Sequence, residues 1–195
     1  MICDALAEEA ASSMLDPRSV SNLMLDLADR DRTAIDPVAL QKLLYFAHGM
    51  YLLGTRKPLV SGYFEAWKNG PVHPGIYRAF RVAGNGPINF RATRENVLTG
   101  EQSSIPAPTD SGVIDLVRRV VHVYGPLDTQ RLVAISHAPG APWDVTMKQA
   151  RDFMALGLRI TDNVIISCFQ SHKVSVDRGH GLGLGEPGED VPPFT

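Results

Sequence analysis

Apolar residues recur at helical spacing in two neighbouring segments near the start of the chain. Each segment begins with the same pair of residues, Asp16-Pro17 and Asp36-Pro37. An Asp before a helix accepts hydrogen bonds from its first free amides, and Pro fits the first helical position at little cost. Both pairs therefore predict helix starts. The apolar stripe of the first segment comprises Val20, Leu23, Met24, Leu27 and Ala28.

The second segment, residues 37–54, is apolar around most of the helical circumference. A helix with apolar residues on nearly every side is typical of a buried central element. Its polar positions include Gln41, Tyr45 and His48, which share one face because they are four and three residues apart. Gly54 is placed to end this helix.

A small β element is predicted near residues 59–67, because residues 63–67 alternate between two sets of side chains. Asn69-Gly70 is a turn signal, and Pro74 marks a further helix start. The chain therefore leaves the central helix, forms a short extended segment and turns back before the next helix begins.

Periodicity is weaker after residue 85 and returns after residue 110. Asp110 or Ser111 is placed to cap a helix, and the two prolines in residues 137–143 indicate a turn of the chain. The elements predicted in this half are a short one at 88–90, an exposed loop at 103–109, and helices at 113–124, 129–136 and from about 162.

These patterns predict a mainly α fold, a compact single-domain helical bundle around a buried central helix, with the small β element at 59–67. The length of 195 residues suits one domain with appendages. We expect residues 1–15 to be an arm or frayed helix, residues 16–176 to form the domain, and residues 177–195 to be a flexible Gly/Pro-rich tail.

The charge and cysteine content narrow the class of protein. A formal net charge of −2 provides no field for a polyanion, which argues against nucleic acid as a partner. No segment has the apolar length of a membrane span, and the acidic N-terminus lacks the basic start of a signal peptide. Cys3 and Cys168 are far apart and are expected to be thiols in a reducing cytoplasm.

Motifs for catalysis or cofactor binding are weak or missing. The six histidines show no zinc-binding spacing, so we expect neither a metal nor another cofactor. Gly183, Gly185 and Gly188 match a dinucleotide fingerprint, but no convincing strand precedes them and only seven residues follow. Cys168 falls on the core face of the last helix, where a thiol is usually inert. The sequence therefore indicates a protein that is not an enzyme.

A set of polar and aromatic residues lies on the central helix and just after it. Most are interpreted as fold determinants, but Trp, Tyr and Arg also dominate the binding hot spots of protein interfaces. We therefore take the set as candidate partner-binding residues: Gln41, His48, Trp67, Asn69, His73, Tyr77 and Arg78.

Several of these residues fall within motifs that resemble the SocA-like (Panacea domain) antitoxin family of bacteria and phages. The resemblance extends over residues 20–170, is strong in the first half and is looser after residue 85. A weaker match is a Pro-Trp pair in the second half. The matching motifs are Leu40-Gln41-Lys42-Leu43-Leu44-Tyr45, Ala66-Trp67, Gly70-Pro71-Val72, Tyr77 and Pro142-Trp143.

The resemblance implies an antitoxin that neutralises a toxin encoded beside it by direct protein binding. The resemblance does not identify the toxin, and it supplies no catalytic residues. One version is plain occlusion of the toxin; another is an adaptor that delivers the toxin to a cellular protease. Two alternatives remain open: an enzyme of unfamiliar chemistry with a pocket near His48, Trp67 and His73, and a transcriptional regulator.

Overall fold

The computed structural model describes residues 14–151 and 158–171, so the predictions for residues 1–13 and 177–195 lie outside the described part of the chain. The described residues form seven α-helices. They are α1 (Pro17–Arg30), α2 (Pro37–Thr55), α3 (Pro74–Phe80), α4 (Ser111–Tyr124), α5 (Thr129–Ser136), α6 (Pro142–Arg151) and α7 (Asp162–Ser171). A short 3₁₀ turn, Arg81–Ala83, follows α3 directly. The expected mainly α class is confirmed.

The β structure is small, and its strands all pair antiparallel, while an isolated parallel bridge joins Leu15 to Val60. The strands β1 (Phe64–Trp67), β2 (Gly70–Val72) and β5 (Arg159–Ile160) form one sheet with the order β2-β1-β5. The strands β3 (Thr93–Glu95) and β4 (Gln102–Ser104) form a separate exposed hairpin.

The helix α2 lies at the centre of the fold, as its apolar circumference predicts. Leu40, Leu43 and Leu44 are completely buried, and even the polar side chains of Gln41 and Lys42 are enclosed. The helix packs against α1, α4, α5, α7 and β2. Because every side of α2 meets another element, its sequence has almost no solvated face.

Aspartates cap the helices where the sequence places them. The Asp36 carboxylate accepts from the Ala39 amide at 2.8 Å, and Asp110 accepts from the Val113 amide at 2.9 Å. The second carboxylate oxygen of Asp36 also accepts from the Thr129 hydroxyl. One capping residue thus links the starts of α2 and α5.

The structure differs from the sequence interpretation in five places. Residues 88–90, where a short element was expected, lie in no helix or strand. The helix α2 continues past Gly54 to Thr55, and its C-cap Arg56 takes the left-handed conformation with φ 60°. The helix α6 begins at Pro142, where only a turn was expected, because Pro is also a favourable first helical residue. The hairpin β3–β4 takes in Ser103 and Ser104, which the sequence assigned to a loop, and the third strand β5 had no sequence signal.

None of the helices in residues 14–151 and 158–171 combines the length and the hydropathy that crossing a bilayer requires.

Candidate functional site

A cleft of about 350 Å³ opens between the start of α2, the β1–β2 hairpin and α3 with its 3₁₀ turn. We call it the aromatic cleft. Four of the seven candidate residues line it: Gln41, Trp67, Asn69 and Tyr77. The other three, His48, His73 and Arg78, are not among its lining residues.

The exposed wall of the aromatic cleft is a pair of aromatic rings. Trp67 ends β1 and Tyr77 lies on α3, with ring centroids 4.9 Å apart and planes at 60°. The Trp67 indole Nε1 donates to the Glu65 carboxylate at 2.6 Å, which fixes the ring orientation. Trp67 is 36% exposed and Tyr77 43% exposed, so both present apolar surface to solvent.

Gln41 occupies the floor of the cleft and holds the chain between β2 and α3. Its Oε1 accepts from the His73 amide at 2.8 Å, and its Nε2 donates to the His73 carbonyl at 3.3 Å. Both bonds are buried. Gln41 therefore positions the segment that carries Tyr77, and its side chain is already committed to the fold.

Lys42 is completely buried beside Gln41. Its Nζ donates to the Pro71 carbonyl at 3.0 Å, and no carboxylate in the described chain pairs with it. Burial lowers the pKa of Lys42 to about 7, because the charged form loses hydration without gaining a counter-ion. The sequence interpretation did not select this residue, although its charge in an otherwise apolar helix was a usable signal.

Gly70 makes room for the buried lysine. Its φ of +92° favours glycine, and a Cβ there would lie 2.9 Å from Lys42 Nζ and 2.6 Å from the Ser136 hydroxyl. The turn signal in the sequence therefore also marks a site of close packing between β2, α2 and α5.

The two candidate histidines are core residues on either side of Phe64. His48 Nε2 lies 3.4 Å from the Asp162 carboxylate, a contact that lowers the pKa of Asp162. His73 Nε2 lies 2.9 Å from the Ser61 carbonyl, and burial lowers the pKa of His73. Both imidazoles meet the Phe64 ring edge-on, with centroids 5.2 and 5.4 Å away. Their observed contacts hold α2, α7 and β1 together.

Arg78 is exposed and lines a different groove, between α1, α3 and the β3–β4 hairpin. Two other arginines line that groove, and both are already paired with carboxylates. Arg18 contacts Asp16 at 2.8 Å, and Arg91 bridges to two aspartates of α1. The structure thus separates Arg78 from the aromatic cleft.

Trp143 supports the cleft from behind. Its indole Nε1 donates to the Trp67 carbonyl at 2.8 Å, and the His137 ring stacks on it with a centroid distance of 3.8 Å. Burial lowers the pKa of His137. The Pro-Trp motif of the second half therefore connects directly to the Ala-Trp motif of the first half, a link that the sequence did not reveal.

The described part of the chain contains no group of three or more His, Cys, Asp or Glu side chains arranged for a metal. Cys168 is a free buried thiol, and burial raises its pKa, which makes the nucleophilic thiolate less available. The chemistry present at the cleft is aromatic surface, amide groups and cationic side chains.

Two comparisons with known proteins agree with the motifs. The family model described as antitoxin SocA-like, Panacea domain, matches residues 40–144. The chain belongs to the SocA-like antitoxin family. It is also 44% identical over 179 residues to Antitoxin SocA of Caulobacter vibrioides (strain NA1000 / CB15N), which covers 92% of this chain and 94% of that protein. The resemblance seen in the motifs is confirmed. No solved structure matches the chain.

Proposed function

We propose that this protein is the antitoxin of a toxin–antitoxin pair and neutralises its toxin by direct binding at the aromatic cleft. Membership of the SocA-like family and the similarity to a protein named Antitoxin SocA support the antitoxin role. The partner is a toxin protein, and the complex forms in the cytoplasm without a cofactor.

The exposed Trp67–Tyr77 pair is the observation that supports binding at this surface. Tryptophan and tyrosine are enriched among the few residues that supply most of the binding energy in protein interfaces. The Trp67 ring is oriented before binding by its hydrogen bond to the Glu65 carboxylate and by its edge contact with the Tyr77 ring, and Trp143 binds the Trp67 backbone carbonyl. Little side-chain entropy of Trp67 is therefore lost on association.

Co-expression with the neighbouring gene tests the proposal. We expect the product of that gene to stop growth when it is expressed alone and to be harmless when this protein is present. If the neighbouring product is harmless alone, the antitoxin assignment fails. Co-purification of the two proteins from the rescued cells then checks that rescue follows from direct binding.

The same assay separates occlusion from delivery to a protease. Residues 177–195 are rich in Gly and Pro, and the proposed binding site is built from residues 37–85, so we expect plain occlusion not to need the tail. A chain lacking these residues should still rescue growth and still bind the toxin under occlusion. Rescue that is lost while binding persists, together with a longer toxin half-life, would support the adaptor version.

The two alternative functions have less support. His48 and His73 are buried and hydrogen-bonded, and neither lines the cleft that contains Trp67, which lessens the support for an enzyme that uses these three residues together. We therefore propose a non-enzymatic role. A transcriptional regulator would shift its own promoter DNA in a gel at low salt. We expect this protein to produce no such shift.

A further inference from the structure

The charged residues that line the aromatic cleft all carry the same sign. They are Lys42, Lys68 and Arg81, and no carboxylate of residues 14–151 and 158–171 lines the cleft. Lys42 is held by the Pro71 carbonyl, but Lys68 and Arg81 are exposed. Neither has a salt-bridge partner in the described part of the chain. Two exposed cations without an ion-pair partner among the described residues therefore stand at the edge of the cleft, which the buried amine of Lys42 also lines.

The carboxylate that is hydrogen-bonded to Trp67 forms no ion pair with them. Glu65 accepts the hydrogen bond of the Trp67 indole at 2.6 Å and is itself partly buried. Asn69 and Asn85 add neutral amide groups to the rim. A ligand with negative charge would thus meet donors at the rim without displacing an existing ion pair.

Apolar surface accompanies this charge. Trp67 and Tyr77 form the wall, and Val82, which follows Arg81 directly, is 80% exposed. The volume of about 350 Å³ lies near the lower end of the range of small-molecule pockets. A space of that size suits one or two side chains of a peptide segment better than a large cofactor.

We propose that the aromatic cleft binds a short acidic segment of the toxin, with a carboxylate side chain received by Lys68 and Arg81 and a neighbouring apolar side chain packed on Trp67 and Tyr77. This inference rests on the proposed function and adds the chemistry of the recognised segment. Charge complementarity selects the acidic partner, since opposite potentials across an interface fix the register and speed association.

Charge reversal in the full-length protein tests this inference. The double variant Lys68→Glu, Arg81→Glu should bind the purified product of the neighbouring gene at least about tenfold more weakly than the wild type. Lys57→Glu, Arg119→Glu is the charge-matched control, because both residues are exposed and neither lines the cleft. Affinity of the wild type should fall as salt increases, and that of the double variant should fall much less.

Overlapping synthetic peptides that cover the neighbouring product identify the segment. We expect the peptides that bind the wild type to contain Asp or Glu beside an apolar residue, and their Asn or Gln versions to lose binding. Circular dichroism of each variant checks that it is folded.

The outcomes distinguish the two proposals. If the wild type binds and the double variant binds equally well, the acidic-segment inference is wrong while the antitoxin function stands. If the wild type does not bind the neighbouring product at all, the proposed function fails and the inference fails with it. Binding of a single-stranded oligonucleotide that depends on Lys68 and Arg81 would show a nucleic-acid site instead and overturn the inference.

Discussion

At the scale of the single residue, Lys42 shows how this fold places a charge inside its core. The side chain is completely buried, its partner is the Pro71 carbonyl, and its pKa is about 7. A buried ammonium group without a counter-ion is costly, so it shifts toward the neutral form. The hydrogen bond from Lys42 to Pro71 attaches β2 to the central helix and so fixes the position of the strand.

This burial makes stability depend on pH in a defined direction. The folded-state pKa of Lys42 lies below the ordinary value of 10.5, so the unfolded chain binds the extra proton between about pH 7 and pH 10.5. The contribution of Lys42 to the free energy of unfolding therefore falls as the pH drops from 10.5 to 7. Well below pH 7 Lys42 is protonated in both states, so its unfavourable contribution to the free energy of unfolding no longer changes with pH.

Lys42→Met should remove this dependence. We expect the free energy of unfolding of the wild type, minus that of the variant, to increase by a few kcal/mol from pH 7 to pH 10. Urea unfolding at several pH values measures the difference, and other titrating groups cancel in it. Lys57→Met, at an exposed lysine, is the control and should show a constant difference. A constant difference for Lys42→Met would show that its pKa is not depressed.

At the scale of the element, the contact between α2 and α7 fixes how closely two helices approach. Gly49 of α2 lies under the Phe169 ring of α7, and a Cβ at Gly49 would be 2.5 Å from that ring. Such a distance requires the ring or the helix to move. The glycine is therefore a packing residue, although its sequence position in a helix suggests only weak helix propensity.

Gly49→Ala should lower the free energy of unfolding by about 1–3 kcal/mol, because the added methyl group overpacks the interface. Gly54→Ala is a matched control in the same helix, since no atom lies within 4 Å of its Cβ position. The control should be stabilising by up to about 1 kcal/mol through its helix propensity. Equal effects of the two substitutions in chemical denaturation would contradict the packing assigned to Gly49.

Helix starts were the elements that the sequence predicted best. Asp16, Asp36 and Asp110 each carry a local physical signal, a carboxylate that accepts from the first free amides, and the structure confirms all three. The strand β5 could not be predicted, because its two residues are extended only through pairing with β1. A strand of two residues is too short to carry an alternating pattern of its own.

At the scale of the whole molecule, the candidate site was only partly predictable. Trp67 and Tyr77 lie in one dense aromatic corner of the sequence, which selects both as candidate partner-binding residues, and the structure places both in one cleft. Burial of His48 and His73 could not be foreseen, since it depends on Phe64, Ser61 and α7 meeting them in the core. Partner binding by the candidate residues stays a prediction, now centred on the aromatic cleft.

Binding of the toxin at the aromatic cleft is tested most directly by the affinity of the purified protein for the product of the neighbouring gene. We expect the wild type to form a complex and the Kd to rise about tenfold or more for Tyr77→Ala, which removes half of the aromatic wall. Val97→Ala, at another exposed apolar residue, should leave the Kd unchanged. The absence of a wild-type complex, or a Tyr77→Ala affinity equal to that of the wild type, would contradict binding at this cleft.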